Sequence, residues 1–243
     1  MEERTVRVND GISMIETRSG QLFGTDAYLL SAFVPPARGK AVELGAGSGI
    51  ISLLCAGRGR FGHIDSVEIQ PEMADLARRN VALNGLGERI SVVNADLREY
   101  RGKADVVFAN PPYMKNGAGV ENPDGIKNAS RREIFGGISD FTACAARLLG
   151  SGGTFACVWR PERLSDLIVS MRACGIEPKR LITVYPRAEA RPCLVLCEGR
   201  KGGGEGSLFM APPFILNLEN GEMTGDCKYV YERGEFGDKF KRP

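Results

Sequence analysis

The sequence predicts an α/β fold in which a mainly parallel β-sheet carries helices on both faces. Three observations carry this reading. From Lys40 to Cys197, short β-rich runs alternate with amphipathic helical stretches, the signature of repeated βαβ units. The last two β-rich runs are joined too closely for a crossover helix, so they are expected to pair antiparallel. The first run ends at Gly45-Ala46-Gly47-Ser48-Gly49, a turn able to carry the chain sharply from a strand into a helix.

The elements follow in order. Thr5 to Glu16 reads as a hairpin, and a short helix starts near Asp26. Lys40 to Leu44 is a strand, and Gly49 to Ala56 the helix after it. His63 to Ile69 is β-rich. Pro71 to Asn84 is a helix, with proline suited to its first turn and Met73, Leu76, Ala77, Val81 and Leu83 apolar; Gly85 stops it. Ile90 to Val93 and Ala104 to Ala109 are strands. Phe141 to Leu149 is a helix ending at Gly150, Thr154 to Trp159 a strand, and Leu164 to Cys174 a helix ending at Gly175. Leu181 to Tyr185 and Cys193 to Cys197 complete the series. A polar loop, 114–130, interrupts it and is expected to be mobile until substrate binds. Lys201 to Ser207 reads as a flexible Gly-rich turn, and the tail from Leu208 is expected to fold back onto the sheet or its edge. The organisation expected is an extension over 1–39, a core over 40–200 and a C-terminal extension over 201–243.

Composition excludes several functions. The chain has 243 residues, 43% hydrophobic and 26% charged, enough to bury a substantial core. No apolar run approaches the roughly 18 residues of a membrane span, and Met1-Glu2-Glu3-Arg4 does not open a secretory signal. Seven cysteines without C-x-x-C spacing read as reduced thiols of a cytoplasmic protein, and no metal site is expected. His63 is the one histidine, so histidine triads and multi-histidine metal sites are excluded. The net charge of +2 requires any basic binding face to be local.

In such sheets ligands bind beyond the carboxyl ends of the strands, so the residues after each strand carry the chemistry. The first strand ends Glu43-Leu44-Gly45-Ala46-Gly47-Ser48-Gly49. Ile50 breaks the dinucleotide pattern G-x-G-x-x-G, and no phosphate-cradling G-x-x-x-x-G-K-[ST] is present. A carboxylate at Glu43 repels pyrophosphate but suits an ammonium or sulfonium ligand, which favours S-adenosylmethionine over NAD. The second strand ends Glu68-Ile69, an acid placed to accept both ribose hydroxyls. The third ends Asp96-Leu97; Asp96 is either an acceptor for an adenine amine, with Leu97 over the ring, or a helix cap.

The fourth strand ends Asn110-Pro111-Pro112-Tyr113. The prolines remove two backbone donors and fix the chain path. The Asn110 side-chain oxygen and the Pro111 carbonyl then offer two acceptors, and Tyr113 a flat face. Two acceptors gripping both N–H bonds of a planar exocyclic amine favour a more pyramidal, nucleophilic nitrogen. Such catalysis is positional and electrostatic and needs no general base.

In order and spacing these motifs resemble class I S-adenosylmethionine-dependent methyltransferases, and Asn-Pro-Pro-Tyr resembles their amino-methylating members. A closer resemblance runs along most of the chain: Phe23-Gly24-Thr25-Asp26-Ala27, Leu29-Leu30, Lys115-Asn116-Gly117, Asn122-Pro123, Ser130-Arg131-Arg132-Glu133, Glu198-Gly199-Arg200-Lys201-Gly202-Gly203 and Ala211-Pro212-Pro213. These are similar to the bacterial tRNA(Val) adenine N6-methyltransferase family, whose members often have Ala where Ser130 stands. The resemblance implies a Rossmann-like seven-stranded sheet with one antiparallel strand, S-adenosylmethionine as donor and an anticodon-loop adenosine of tRNA as target. It implies cofactor contacts from Gly45, Ala46, Gly47, Gly49, Glu68, Ile69, Asp96, Leu97 and Asn110, with Thr25 and Asp26 closing the cofactor side. Asn110, Pro111, Pro112 and Tyr113 are its catalytic positions. Lys115, Lys127, Arg131 and Arg132 flank them as RNA contacts, and residues 160–201 add nine basic against five acidic residues. The enzyme is expected to be a monomer.

Three rivals stand beside this reading: methylation of a ribosomal RNA adenine or guanine, of a protein glutamine, or cofactor or RNA binding without catalysis. Glutamine methyltransferases of release factors share the tetrapeptide but carry a helical N-terminal domain, for which the residues before Lys40 leave little room.

Overall fold

The computed structural model describes residues 3–9, 11–17, 24–112 and 136–242. β1 (Glu3–Arg7) and β2 (Ser13–Thr17) form an antiparallel hairpin, and α1 (Thr25–Phe33) leads into the sheet. β3 (Lys40–Leu44), α2 (Ile50–Gly57), β4 (His63–Glu68), α3 (Pro71–Leu83), β5 (Ile90–Asn94) and β6 (Ala104–Ala109) follow as predicted in kind and order. Then come α4 (Ile138–Leu148), β7 (Leu149–Trp159), α5 (Leu164–Ala173), β8 (Ile176–Tyr185) and β9 (Leu194–Lys201). The tail adds β10 (Phe209–Met210), β11 (Phe214–Ile215) and α6 (Gly225–Arg233).

The strand order is β10-β8-β9-β7-β6-β3-β4-β5, with β11 also on β8. β9 is antiparallel to both neighbours and the other pairings are parallel. Among the described residues the sheet thus has nine strands rather than seven. The two additional strands are two-residue pieces of the tail lying parallel along β8. Two residues carry no readable period. β7 starts at Leu149 rather than Thr154, because its glycine-rich opening lacks the β-branched residues that mark a strand. β8 starts at Ile176 rather than Leu181, and its register shifts between Pro178 and Arg180, where proline cannot donate to the ladder.

Alternation along the strands builds two apolar layers. Val106 and Phe108 of β6 face the layer of α1, α2 and the tail, while Val107 and Ala109 face that of α4 and α5. Each fully buried Leu, Ile or Phe contributes about 1.5–3 kcal/mol, so these layers dominate the stability. The tail belongs to the first layer: Phe214, Phe236 and Phe240 form an edge-to-face cluster, and Phe236 meets Phe33 of α1. Arg60 spans the junction, donating to the carbonyls of Gly234, Ala32 and Val34. The Gly-rich turn after β9 is tied down by Lys179, whose ammonium donates to the carbonyls of Gly204 and Gly206 and to the Ser207 hydroxyl.

Candidate functional site

The site lies where the strand order reverses. The chain leaves β3 for β4 on one side, and β6 lies on the other. In open α/β sheets the crevice at such a point binds ligands. Register places the ends together: Leu44 is level with Val67 of β4 and with Ala109 of β6, and Glu68 is level with Asn94 of β5. The Gly loop, Glu68, Asn94-Ala95-Asp96 and Asn110 therefore line one edge of the sheet.

Within the loop, Gly45, Gly47 and Gly49 have φ of 70°, 56° and 83°, a left-handed conformation that side chains disfavour. The Gly45 and Ala46 amides donate to the Val67 carbonyl at 2.8 and 3.0 Å, that of Gly49 to the Ala46 carbonyl at 2.9 Å, and that of Gly47 to Glu68 Oε2 at 2.8 Å. Four of the loop's amides are thus bonded inside the chain. The loop is open at Gly47, where a Cβ would find its nearest neighbour 3.9 Å away, and leaves room for a ligand to approach the backbone.

Glu68 is buried. One carboxylate oxygen braces Gly47 and the other accepts from the Gln70 amide at 2.9 Å, so it holds the loop as well as ending the strand. Each oxygen keeps a second lone pair for a hydroxyl. The half-buried Ile69 follows it.

Glu43 departs from the expectation. Its carboxylate does not face the crevice; at 1% exposure it points into the α2 layer, where Oε2 accepts from the backbone and hydroxyl of Ser52. Alternation explains this, since Ala41 faces the same layer and Glu43 must follow it. Burial pushes the Glu43 carboxyl up to about 8, against the pull of the Ser52 bonds and with a further push from Glu68. The argument from attraction between an exposed carboxylate and an ammonium group does not apply to it.

No helix follows Asp96 directly, so it is not the helix cap weighed against the ligand role; it opens a turn over Leu97 to Glu99. Its Oδ1 accepts from the Arg98 amide at 2.8 Å, and the Arg98 guanidinium holds it below the usual carboxylate range. Leu97 is 7% exposed and packs into the α4 layer, so it is mainly core rather than a ring cover.

Asn110 and Pro111 follow β6 directly, and Pro111 is buried. The Asn110 amide nitrogen donates to Asp26 Oδ2 at 2.9 Å. Asp26 sits in the first turn of α1, and its other oxygen accepts from the Ala27 amide at 3.0 Å. The neighbouring Thr25 hydroxyl accepts from Tyr231 of α6 at 3.3 Å, and Tyr231 stacks on Tyr28 with centroids 4.5 Å apart. Thr25 and Asp26 thus join α1 and the tail to the Asn110 corner. Tyr113, Lys115, Lys127, Arg131, Arg132 and the loop 114–130 lie outside the described residues.

Sequence reasoning missed two asparagines that hold the site. Asn80 of α3 accepts from the Ile15 amide at 2.8 Å and donates to the Ser48 carbonyl at 3.0 Å, linking the hairpin to the Gly loop. Its signal was a polar residue inside the apolar stripe of Leu76, Ala77 and Val81. Asn94 donates to the carbonyls of Glu68 and Ile69 at 2.8 and 3.1 Å and holds the backbone after Glu68; nothing in its local sequence marks it.

The basic surplus of 160–201 is largely spent internally. Arg180 is buried against Glu198 at 2.8 Å, Arg172 pairs with Glu177 and Glu205, Arg163 with Asp166, and Arg200 and Lys201 donate to carbonyls. Arg187 and Arg191 differ: both are exposed in the turn after Tyr185, at the same end of the sheet as the Gly loop. Among the described residues no cluster of His, Cys, Asp or Glu is arranged to hold a metal, and no helix is long and apolar enough to cross a membrane.

A doubly wound sheet with an inserted antiparallel β9, a Gly-x-Gly-x-Gly loop after its first strand and an Asn-Pro-Pro corner after its fourth define a class I methyltransferase. S-adenosylmethionine is the methyl donor of that class, and the loop fits it. The family model for the methyltransferase small domain matches residues 23–168, and the chain belongs to that family. It is 32% identical over 180 residues to the tRNA1(Val) (adenine(37)-N6)-methyltransferase of Escherichia coli O157:H7, covering 72% of each chain. It is 37% identical over 101 residues to the Aliivibrio fischeri (strain ATCC 700601 / ES114) protein of the same name, covering 40% of this chain and 43% of that one. A structure from Agrobacterium tumefaciens described as a predicted O-methyltransferase superposes with a TM-score of 0.71 at 21% identity, over 88% of this chain and 98% of that one. M. jannaschii TYW2 in complex with AdoMet superposes with a TM-score of 0.56 at 14% identity, over 82% and 86%.

Proposed function

We propose that the protein methylates the exocyclic N6 amine of an adenosine in the anticodon loop of tRNA, at the position 37 that its relatives' names carry. The observation that carries this reading is the Asn110 corner: it sits level with the Gly loop, and its amide nitrogen is already engaged by Asp26.

S-adenosylmethionine supplies an activated methyl group on its sulfonium. The Gly loop would hold its methionine end and Glu68 its ribose, with Ile69 and Asp96 at its adenine. Asn110 Oδ1 and the Pro111 carbonyl accept the two N–H bonds of the target amine, and Tyr113 stacks on its base. With both N–H bonds held by Asn110 and Pro111, the amine would present its lone pair to that methyl group, and the proton it gives up would pass to water. An anticodon-loop base is already single-stranded, which lowers the cost of bringing it to Asn110.

The test is methyl transfer from labelled S-adenosylmethionine to unmodified total tRNA, with nucleoside mass spectrometry and Asn110→Ala alongside. The expected result is N6-methyladenosine from the wild type and at least a hundredfold less from the variant. Transfer to ribosomal RNA or a protein glutamine in place of tRNA would overturn the substrate assignment while keeping the chemistry.

A further inference from the structure

We propose that Asp26 is a positioning residue for methyl transfer: it selects which end of the Asn110 amide faces the amine. The proposal rests on the reading above, in which Asn110 accepts from that amine.

A side-chain amide has nearly the same shape in its two flipped orientations but opposite chemistry, oxygen accepting and nitrogen donating. An amine to be methylated presents N–H bonds, so only the orientation with oxygen forward can grip it. The flipped amide sets donor against donor. A group that touches one end of the amide and can only accept, or only donate, biases that choice.

That end meets Asp26, with Asn110 Nδ2 2.9 Å from Oδ2. A carboxylate accepts and does not donate, so it accommodates the amide nitrogen and repels the amide oxygen. Asp26 is itself held. Its second oxygen accepts from the Ala27 amide at 3.0 Å, and α1 is buried from Ala27 to Phe33. The two residues are 84 positions apart, and α1 carries one to the other by lying along the sheet with its first turn at the carboxyl edge. The resemblance put Asp26 on the cofactor side, whereas its carboxylate contact is with the amine-binding residue.

The test compares Asp26→Asn, Asn110→Asp and the double swap. In Asp26→Asn the new amide accommodates either orientation of Asn110, which leaves about half of the molecules with oxygen forward, so kcat should fall about twofold, with KM and Kd for S-adenosylmethionine unchanged. Asn110→Asp sets two carboxylates against each other and should lose more. The swap Asp26→Asn/Asn110→Asp restores a donor facing a carboxylate and leaves an oxygen toward the amine, so it should recover at least tenfold over Asn110→Asp. A purely structural role at the start of α1 predicts no such recovery. In 15N-labelled wild type, the Asn110 side-chain amide should also show one proton shifted and protected from exchange, and Asp26→Ala should abolish this. Unchanged kcat in Asp26→Asn, a raised cofactor Kd with kcat kept at saturation, no recovery in the swap, or an unprotected Asn110 amide would each overturn the proposal. A wild type that is inactive on every substrate while the Asn110 amide is protected would instead refute the assigned reaction.

Discussion

Ser52 of α2 donates both its backbone N–H, at 3.0 Å, and its hydroxyl to one oxygen of Glu43. The contact solves a capping problem. A helix leaves its first amides unpaired, and a side chain at the N-cap usually accepts from one of them. Here the N-cap is Gly49, required by its φ of 83° and without a side chain to offer. The acid inside the preceding strand supplies the acceptor instead, and Ser66 of β4 closes the network by donating to the Ser52 hydroxyl at 2.7 Å.

Glu43 should make stability depend on pH. Burial raises its folded-state pKa to about 8 from an ordinary 4.5, so the folded protein holds this proton more tightly than the unfolded chain. Its contribution is full below about 4.5, falls as pH rises, and is gone above about 8. Glu43→Gln removes the titration. Urea unfolding at pH 5, 6.5 and 8 should show wild type losing on the order of a few kcal/mol relative to the variant across that range. A constant difference would mean that Glu43 is ionised throughout.

Asn80→Ala should loosen the cofactor loop from a distance. It leaves the Ile15 amide and the Ser48 carbonyl without their partner, a loss of about 1–3 kcal/mol in stability. Affinity for S-adenosylmethionine, measured by calorimetry, should weaken several-fold. Reduced stability with wild-type affinity would show that the sheet alone holds the loop.

Arg187 and Arg191 should serve RNA and not the cofactor. Their joint replacement by Glu should raise KM for tRNA at least tenfold and leave cofactor Kd unchanged. The slope of log affinity against log salt should become shallower by about 0.7–0.9 for each phosphate that is no longer neutralised. An unaltered slope would place the tRNA on another face.

Much of the fold was legible because its signals are local. Glycine at Gly45, Gly47 and Gly49 announces a backbone that only glycine adopts freely, and the three positive φ values agree. The apolar period of Pro71–Leu83 and the stop at Gly85 mark a helix without reference to anything else. The weak points were also local: the glycines opening β7, the proline inside β8 and the two-residue strands of the tail carry no strand pattern. The site was legible as a set of residues but not as a set of contacts. Glu43, Glu68, Asp96 and Asp26 are equally carboxylates in the sequence. One is buried under a helix, one braces a loop, one opens a turn and one grips an amide.

By itself, the sequence determined the alternation of strands and helices, the turns that need glycine or proline, and the chemistry available at each strand end. These follow from the backbone preferences of single residues and from periods of 2 and 3.6. The tertiary structure alone decided which acid meets which partner, that Asn80 ties the hairpin to the cofactor loop, and that the tail completes the layer over α1. Those contacts join residues far apart in the chain, and their hydrogen bonds depend on packing that brings two distant side chains within about 3 Å. No local preference encodes that distance.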